Sequence, residues 1–114
     1  MTELYITGAI ASDPNFVEKF AAAARELQTA GYLTLNPVDI QPCLSNSVCG
    51  GKGALHTWEC YMKHDVAEMV HCDGVAQLDD WVQSPGARAE CAIAALLTIP
   101  VLPIQVWIER KYET

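Results

Sequence analysis

"GVAQLDDWVQSPGARAE", residues 74–90, contains a strand, a turn and the opening of a helix. The apolar run from Gly74 to Leu78 has the length of a buried strand. Ser84 then offers a side-chain cap, and Pro85 suits the first helical position, where its missing N–H would be unpaired anyway. An alanine-rich helix to Leu97 follows, and an apolar segment begins near Val101. Two strands joined through a helix must run parallel, so this stretch sets the expectation of an open α/β sheet.

The rest of the chain repeats the unit. Leu4 to Thr7 reads as a short strand, with Leu4 and Ile6 on one face and Tyr5 and Thr7 on the other. In the turn GAIASDP, Asp13 is placed to cap a helix and Pro14 to open it. The helix FVEKFAAAARELQTA carries Phe16, Val17, Phe20, Ala24 and Leu27 as its apolar stripe and stops at Gly31. A second strand, Tyr32 to Leu35, ends at Asn36-Pro37, and a helix from about Thr57 to Cys72 leads into the strand at Gly74. Pro103 removes a ladder hydrogen bond, which makes the last strand an edge. The expectation is one domain over residues 1–114, with a flavodoxin-like open parallel sheet of four to five strands and helices on both faces. The strand order is 2-1-3-4, with any fifth strand at the edge.

Composition limits the function. The chain has 114 residues, half of them hydrophobic, and a net charge of −7. That charge argues against a protein that tracks nucleic-acid phosphates, so no nucleic-acid partner is expected. No apolar run reaches the roughly 18–20 residues of a membrane span, and MTELYITG lacks a signal peptide's basic start and apolar core. Five cysteines in a chain of this kind read as reduced thiols of a cytoplasmic protein, with no membrane partner. No CxxC pair accompanies Cys60, His64, His71 and Cys72, and Cys43 and Cys49 lie apart from them, so no metal is expected. No G-x-S-x-G elbow is present, and GAIASDP is a poor flavin phosphate loop, so no cofactor is expected either.

Residues 38–56, VDIQPCLSNSVCGGKGALH, make a connection longer than the roughly 12–15 residues usual in compact domains. It follows a strand's C-terminal end, where open α/β sheets bind ligands, and is expected to border a site.

Two carboxylates stand out. A helical side chain leans over residues three and four positions earlier, which for Glu90 are Ala87 and Gly86. Glu90 is therefore expected to lie over a bare turn, with Gly86 clearing space for a ligand and with little stability lost on truncation to alanine. Asp65 falls in the middle of an apolar helix face made by Trp58, Tyr61, Met62, Met69 and Cys72. A charge there is either buried with a partner or lining a pocket, because an unpaired buried charge is too costly. To reach a site beside Glu90, the helix must project above the sheet.

Together "LYITGAI", "WECYMKHDVAEMVHCDGVAQL", the pattern W-x-x-S-x-G-A-x-x-E at 81–90 and "IPVL" resemble the nucleoside 2-deoxyribosyltransferase-like superfamily. The resemblance is closest to its small branch of uncharacterised domains in bacteriophages and prophages. It implies a homodimer or higher homo-oligomer in a bacterial cytoplasm, acting on a small-molecule nucleoside or nucleotide. The implied activity is N-glycosidase or deoxyribosyltransferase. Glu90 matches the nucleophile, Asp65 the acid that protonates the departing base, and Tyr5 the first-strand tyrosine that contacts the nucleophile. Gly8, Ser84 and Gly86 fall in the implied substrate-binding set, with Ser84 at the phosphate end. Trp81, and with it Trp58 and Tyr61, either stacks on a base or packs in the core.

An oxocarbenium-like state stabilised by one carboxylate, with a second carboxyl as acid and base, suits these roles. The loop TGAIASDP has no arginine or lysine, and Asp79 and Asp80 would repel a phosphate unless they act as turn residues. Lys52 and Arg88 read as surface charges. The alternative function is a non-catalytic module that binds a nucleotide or nucleotide signal in the same pocket.

Overall fold

The computed structural model describes residues 1–40 and 57–110. Strand β1 (Glu3–Thr7) leads through helix α1 (Phe16–Thr29) into β2 (Leu33–Leu35), after which Pro37–Asp39 form a single 3₁₀ turn. Helix α2 (Trp58–Met69) leads into β3 (Gly74–Gln77), helix α3 (Pro85–Leu96) into β4 (Val101–Pro103), and α4 (Ile104–Arg110) follows directly. All strand pairs are parallel in the order β2-β1-β3-β4, as the sequence led us to expect. Residues 41–56 of the long connection, with Cys43, Cys49 and Lys52, lie outside the described residues.

Helix starts follow local chemistry, with one departure. Ser84 caps α3 by accepting from the Ala87 N–H, and Thr57 caps α2 by accepting from the Cys60 N–H. Helix α1 starts at Phe16 rather than at Pro14, because the Asp13 carboxylate accepts from the Asn15 N–H and closes a turn there. Gly31, at φ +100°, ends the helix in the left-handed conformation that glycine tolerates.

The sheet has a core on each face. Leu4, Ile6 and Ala76 pack against Phe20, Ala23, Ala24 and Leu27 of α1 and Trp107 of α4. On the other face Tyr5 and Val75 meet Met69, Cys72 and Ala94 from the α2–α3 layer. Val17, expected in the α1 stripe, is instead 52% exposed; Ala23 takes the inward position.

No fifth strand forms among the described residues. Ile104, Trp107 and Ile108 recur at helical spacing, and α4 buries them against the α1 layer. The Trp107 indole N–H donates to the Val75 carbonyl at 2.9 Å and its ring fills the space beside Gly74, where a Cβ would lie 2.6 Å from it.

Parallel connections run from β1 outward in both directions, through α1 on one face and the α2–α3 layer on the other. The order reverses between β1 and β3, and the C-terminal ends of these strands form the crevice where open α/β sheets bind ligands.

Candidate active site

The crevice holds a cavity of about 420 Å³. Tyr5 and Glu90 lie at its base, and the β1–α1 loop contributes Gly8, Ile10 and Ala11 to its wall. Trp58, Met62 and Asp65 of α2 face it, as do Pro37, Val38 and Ile40 after β2. Helix α2 runs toward the start of β3, so its N-terminal half projects beyond the strand ends. Asp65, seven residues after Trp58 and past the middle of the helix, still lines the cavity.

Glu90 is only 6% exposed. The Tyr5 hydroxyl donates to its Oε2 at 2.5 Å, and the Thr7 hydroxyl donates to its Oε1 at 2.9 Å. A carboxylate has about four lone-pair sites, so each oxygen keeps one for other chemistry. Burial pushes the Glu90 carboxyl up to about 7, while the Tyr5 and Thr7 hydrogen bonds pull toward the ionised form and the Asp65 charge adds a smaller upward push. Burial and the neighbouring Glu90 raise the Tyr5 hydroxyl far above its ordinary range, so it remains a donor.

This placement corrects the expectation for Glu90. The side chain does not stand over a bare turn; it is aimed at β1 and braced by two buried hydroxyls. Truncation to alanine would leave both hydroxyls without their acceptor, at about 1–3 kcal/mol for each unsatisfied group, so it is not a low-cost change. The space over Gly86 is also taken. A Cβ there would lie 3.3 Å from the Met62 sulfur and 3.8 Å from the Trp58 indole nitrogen, so the glycine admits the approach of α2. Met62 and Gly86 sit one helical turn before Asp65 and Glu90 respectively, so this approach sets how near the two carboxyls come.

Asp65 lines the cavity half-buried, and burial pushes its carboxyl up to about 6. The helix face on which the sequence placed it divides in two. Met69 is fully buried under the sheet, whereas Trp58 and Tyr61 are 56% and 44% exposed at the cavity rim rather than packed in a core.

Residues 2–103 match the family described as Domain of unknown function, DUF4406. The chain belongs to the DUF4406 family. No curated protein matches it. Among solved structures, this DUF4406 domain is similar to the 2-deoxyribosyltransferase of the psychrotolerant bacterium Bacillus psychrosaccharolyticus, with a TM-score of 0.60 and 14% identity. The similarity covers 88% of this chain and 69% of that one. At that identity it shows a shared α/β fold.

Of the sequence candidates, Tyr5, Gly8, Asp65, Ser84, Gly86 and Glu90 all line the DUF4406 cavity, and Trp81 does not. Trp81 begins a 3₁₀ turn ahead of α3. Gly8 owes its identity to packing, since a Cβ there would lie 2.8–2.9 Å from Leu78. Two residues that support the surroundings of the site were not among the sequence candidates. Thr7 shares the inward face of β1 with Tyr5, and its polarity in a doubly covered strand was the available signal. Lys19 gave none: its ammonium reaches Asp79 at 2.6 Å and Asp80 at 2.9 Å across sixty residues of chain. These pairs offset the negative charge expected to repel a phosphate.

No helix among the described residues is long and apolar enough to cross a membrane.

Proposed function

We propose that this DUF4406 domain cleaves the N-glycosidic bond of a nucleoside or nucleoside 5′-monophosphate, with Glu90 as nucleophile. The observation that carries this reading is a buried carboxylate held by the Tyr5 and Thr7 hydroxyls, with a second carboxyl, Asp65, lining the same cavity. A free oxygen lone pair of Glu90 attacks the anomeric carbon of the sugar. As the carbon–nitrogen bond breaks, its electron pair leaves with the base, and Asp65 supplies the proton that the base takes. Water or a second base, giving up its proton to the Asp65 carboxylate, then displaces Glu90 from the sugar, which returns Glu90 as carboxylate and Asp65 as acid. Burial raises the carboxyls of both Asp65 and Glu90, and the Tyr5 and Thr7 hydrogen bonds favour the form with Glu90 ionised and the proton on Asp65, which is the form that this attack requires. The fold shared with a 2-deoxyribosyltransferase supports the same chemistry.

Incubation with a panel of nucleosides and monophosphates, with chromatography of the free base, tests the proposal. Wild type should release base, with or without an added acceptor base. Glu90→Gln keeps the shape but removes the nucleophile, and should lower the rate by about a thousandfold or more. Denaturing mass spectrometry should find a glycosyl adduct on Glu90 in wild type. Base release by Glu90→Gln at the wild-type rate would defeat the nucleophile assignment. Binding without release by wild type would identify the domain as a nucleotide-binding module.

A further inference from the structure

The β1–α1 loop supplies one wall of the cavity through Gly8, Ile10 and Ala11, yet its internal hydrogen bonds fasten mainly its far end. The Asp13 N–H donates to the Ile10 carbonyl at 3.3 Å, the Phe16 N–H to the Asp13 carbonyl at 3.2 Å, and the Asn15 N–H to the Asp13 carboxylate at 2.8 Å. The near end is held from another part of the chain. The Ala9 N–H donates to Asp80 Oδ1 at 3.0 Å, while Asp80 Oδ2 accepts from the Lys19 ammonium at 2.9 Å. The seat is closely fitted: a Cβ on Gly8 would lie 3.1 Å from the same Asp80 oxygen and 2.8 Å from Leu78.

We propose that Asp80 is a positioning residue for this cavity, fixing the β1–α1 loop against the β3–α3 connection through the Ala9 amide. Asp80 contacts no reacting atom in this scheme. It acts on the wall that a substrate presses against, and Lys19 holds its other oxygen so that Oδ1 stays directed at Ala9. A hydrogen bond to an ionised acceptor is stronger than one between neutral groups, and a carboxylate pinned at both oxygens has little freedom to turn away. The side chain of Asp80 is 15% exposed against 85% for Asp79, which shares Lys19, and it is Asp80 that accepts from the Ala9 N–H.

The effect on catalysis rests on the glycosidase reading; the fastening of the loop does not. Two measurements separate them. Amide hydrogen exchange needs no substrate. Asp80→Ala should speed exchange at Ala9 by about 10-fold or more, whereas Asp80→Asn, whose amide oxygen still accepts but carries no charge, should give a smaller increase that falls between wild type and Asp80→Ala. In steady-state assays of base release, Asp80→Ala should raise KM by about 10-fold or more with kcat within about threefold, and Asp80→Asn should recover most of that loss. Asp79→Asn serves as the control and should leave Ala9 exchange and KM near wild type. Unchanged Ala9 exchange in Asp80→Ala would overturn the proposal, as would equal losses in kcat from Asp80→Ala and Asp80→Asn with no change in KM. Faster Ala9 exchange in a protein that releases no base from any nucleoside would sustain the positioning role and count against the glycosidase reading instead.

Discussion

On the α1–α4 face of β1, Leu4 and Ile6 meet Phe20, Leu27 and Trp107; on the α2–α3 face, Tyr5 and Thr7 meet Glu90. Alternate residues of one five-residue strand thus serve two environments. The first is apolar and closely packed around Phe20 and Trp107. The second is nearly as buried but is polar, with a cavity above it and two carboxyls moved up from their ordinary range. The contrast shows where stability and chemistry reside. Apolar burial stabilises the domain from both sides, through Phe20 and Leu27 on one face and Met69, Val75 and Ala94 on the other, but only the second face also keeps a carboxyl group whose charge burial disfavours.

The largest expected effect lies on the packed face. Phe20 is fully buried, and Phe20→Ala should cost about 3–5 kcal/mol by loss of transfer energy and creation of a cavity. Chemical denaturation measures it, and the titration of Glu90 should not move in the same variant. A comparable shift in that titration would show that the faces are not independent.

The opposite sign is expected across the sheet. The Glu90 carboxyl sits at about 7 in the folded protein against an ordinary 4.5, so the native state binds the extra proton between those values. Stability is then full below about 4.5 and falls as pH rises through about 7. Glu90→Gln cannot titrate, so it should be more stable than wild type above pH 7, by up to roughly 3 kcal/mol, with the advantage disappearing below pH 4.5. Denaturant midpoints at several pH values check this. A pH-independent difference would mean that the carboxyl is not destabilised by burial.

A smaller effect sharpens the account of the polar face. The Tyr5 hydroxyl favours ionised Glu90, so Tyr5→Phe should move the Glu90 titration above about 7, by roughly one pH unit. Carboxyl-carbon NMR reads it directly. A downward movement would refute the donor role of Tyr5.

Strand order was legible because the hydrophobic runs are short and alternate with helical segments, one of them opened by the cap and proline at Ser84-Pro85. The convergence of Tyr5, Asp65 and Glu90 on one cavity followed from their positions relative to strand ends. The direction of Glu90 did not. Helical lean predicts where a side chain starts, but two hydroxyl donors on β1 decide where the carboxylate ends, and they are over eighty residues away in sequence. Gly86 misled for a related reason: a missing side chain advertises space without saying what enters it, and Met62 does. Lys19 sits between Glu18 and Phe20 on an amphipathic helix, with nothing local to couple it to Asp79 and Asp80.

Strand β1 is clasped along both edges, with Tyr5 in register with Leu35 on one side and Val75 on the other. Tyr5 on such a strand cannot drift without disturbing two ladders of backbone hydrogen bonds, and Thr7 is held by the ladder to β3. The dipoles that meet Glu90 are therefore oriented before any ligand arrives, and little reorganisation remains for the moment when charge on that carboxylate changes. A loop carrying the same tyrosine and threonine would have to find that alignment anew at each encounter.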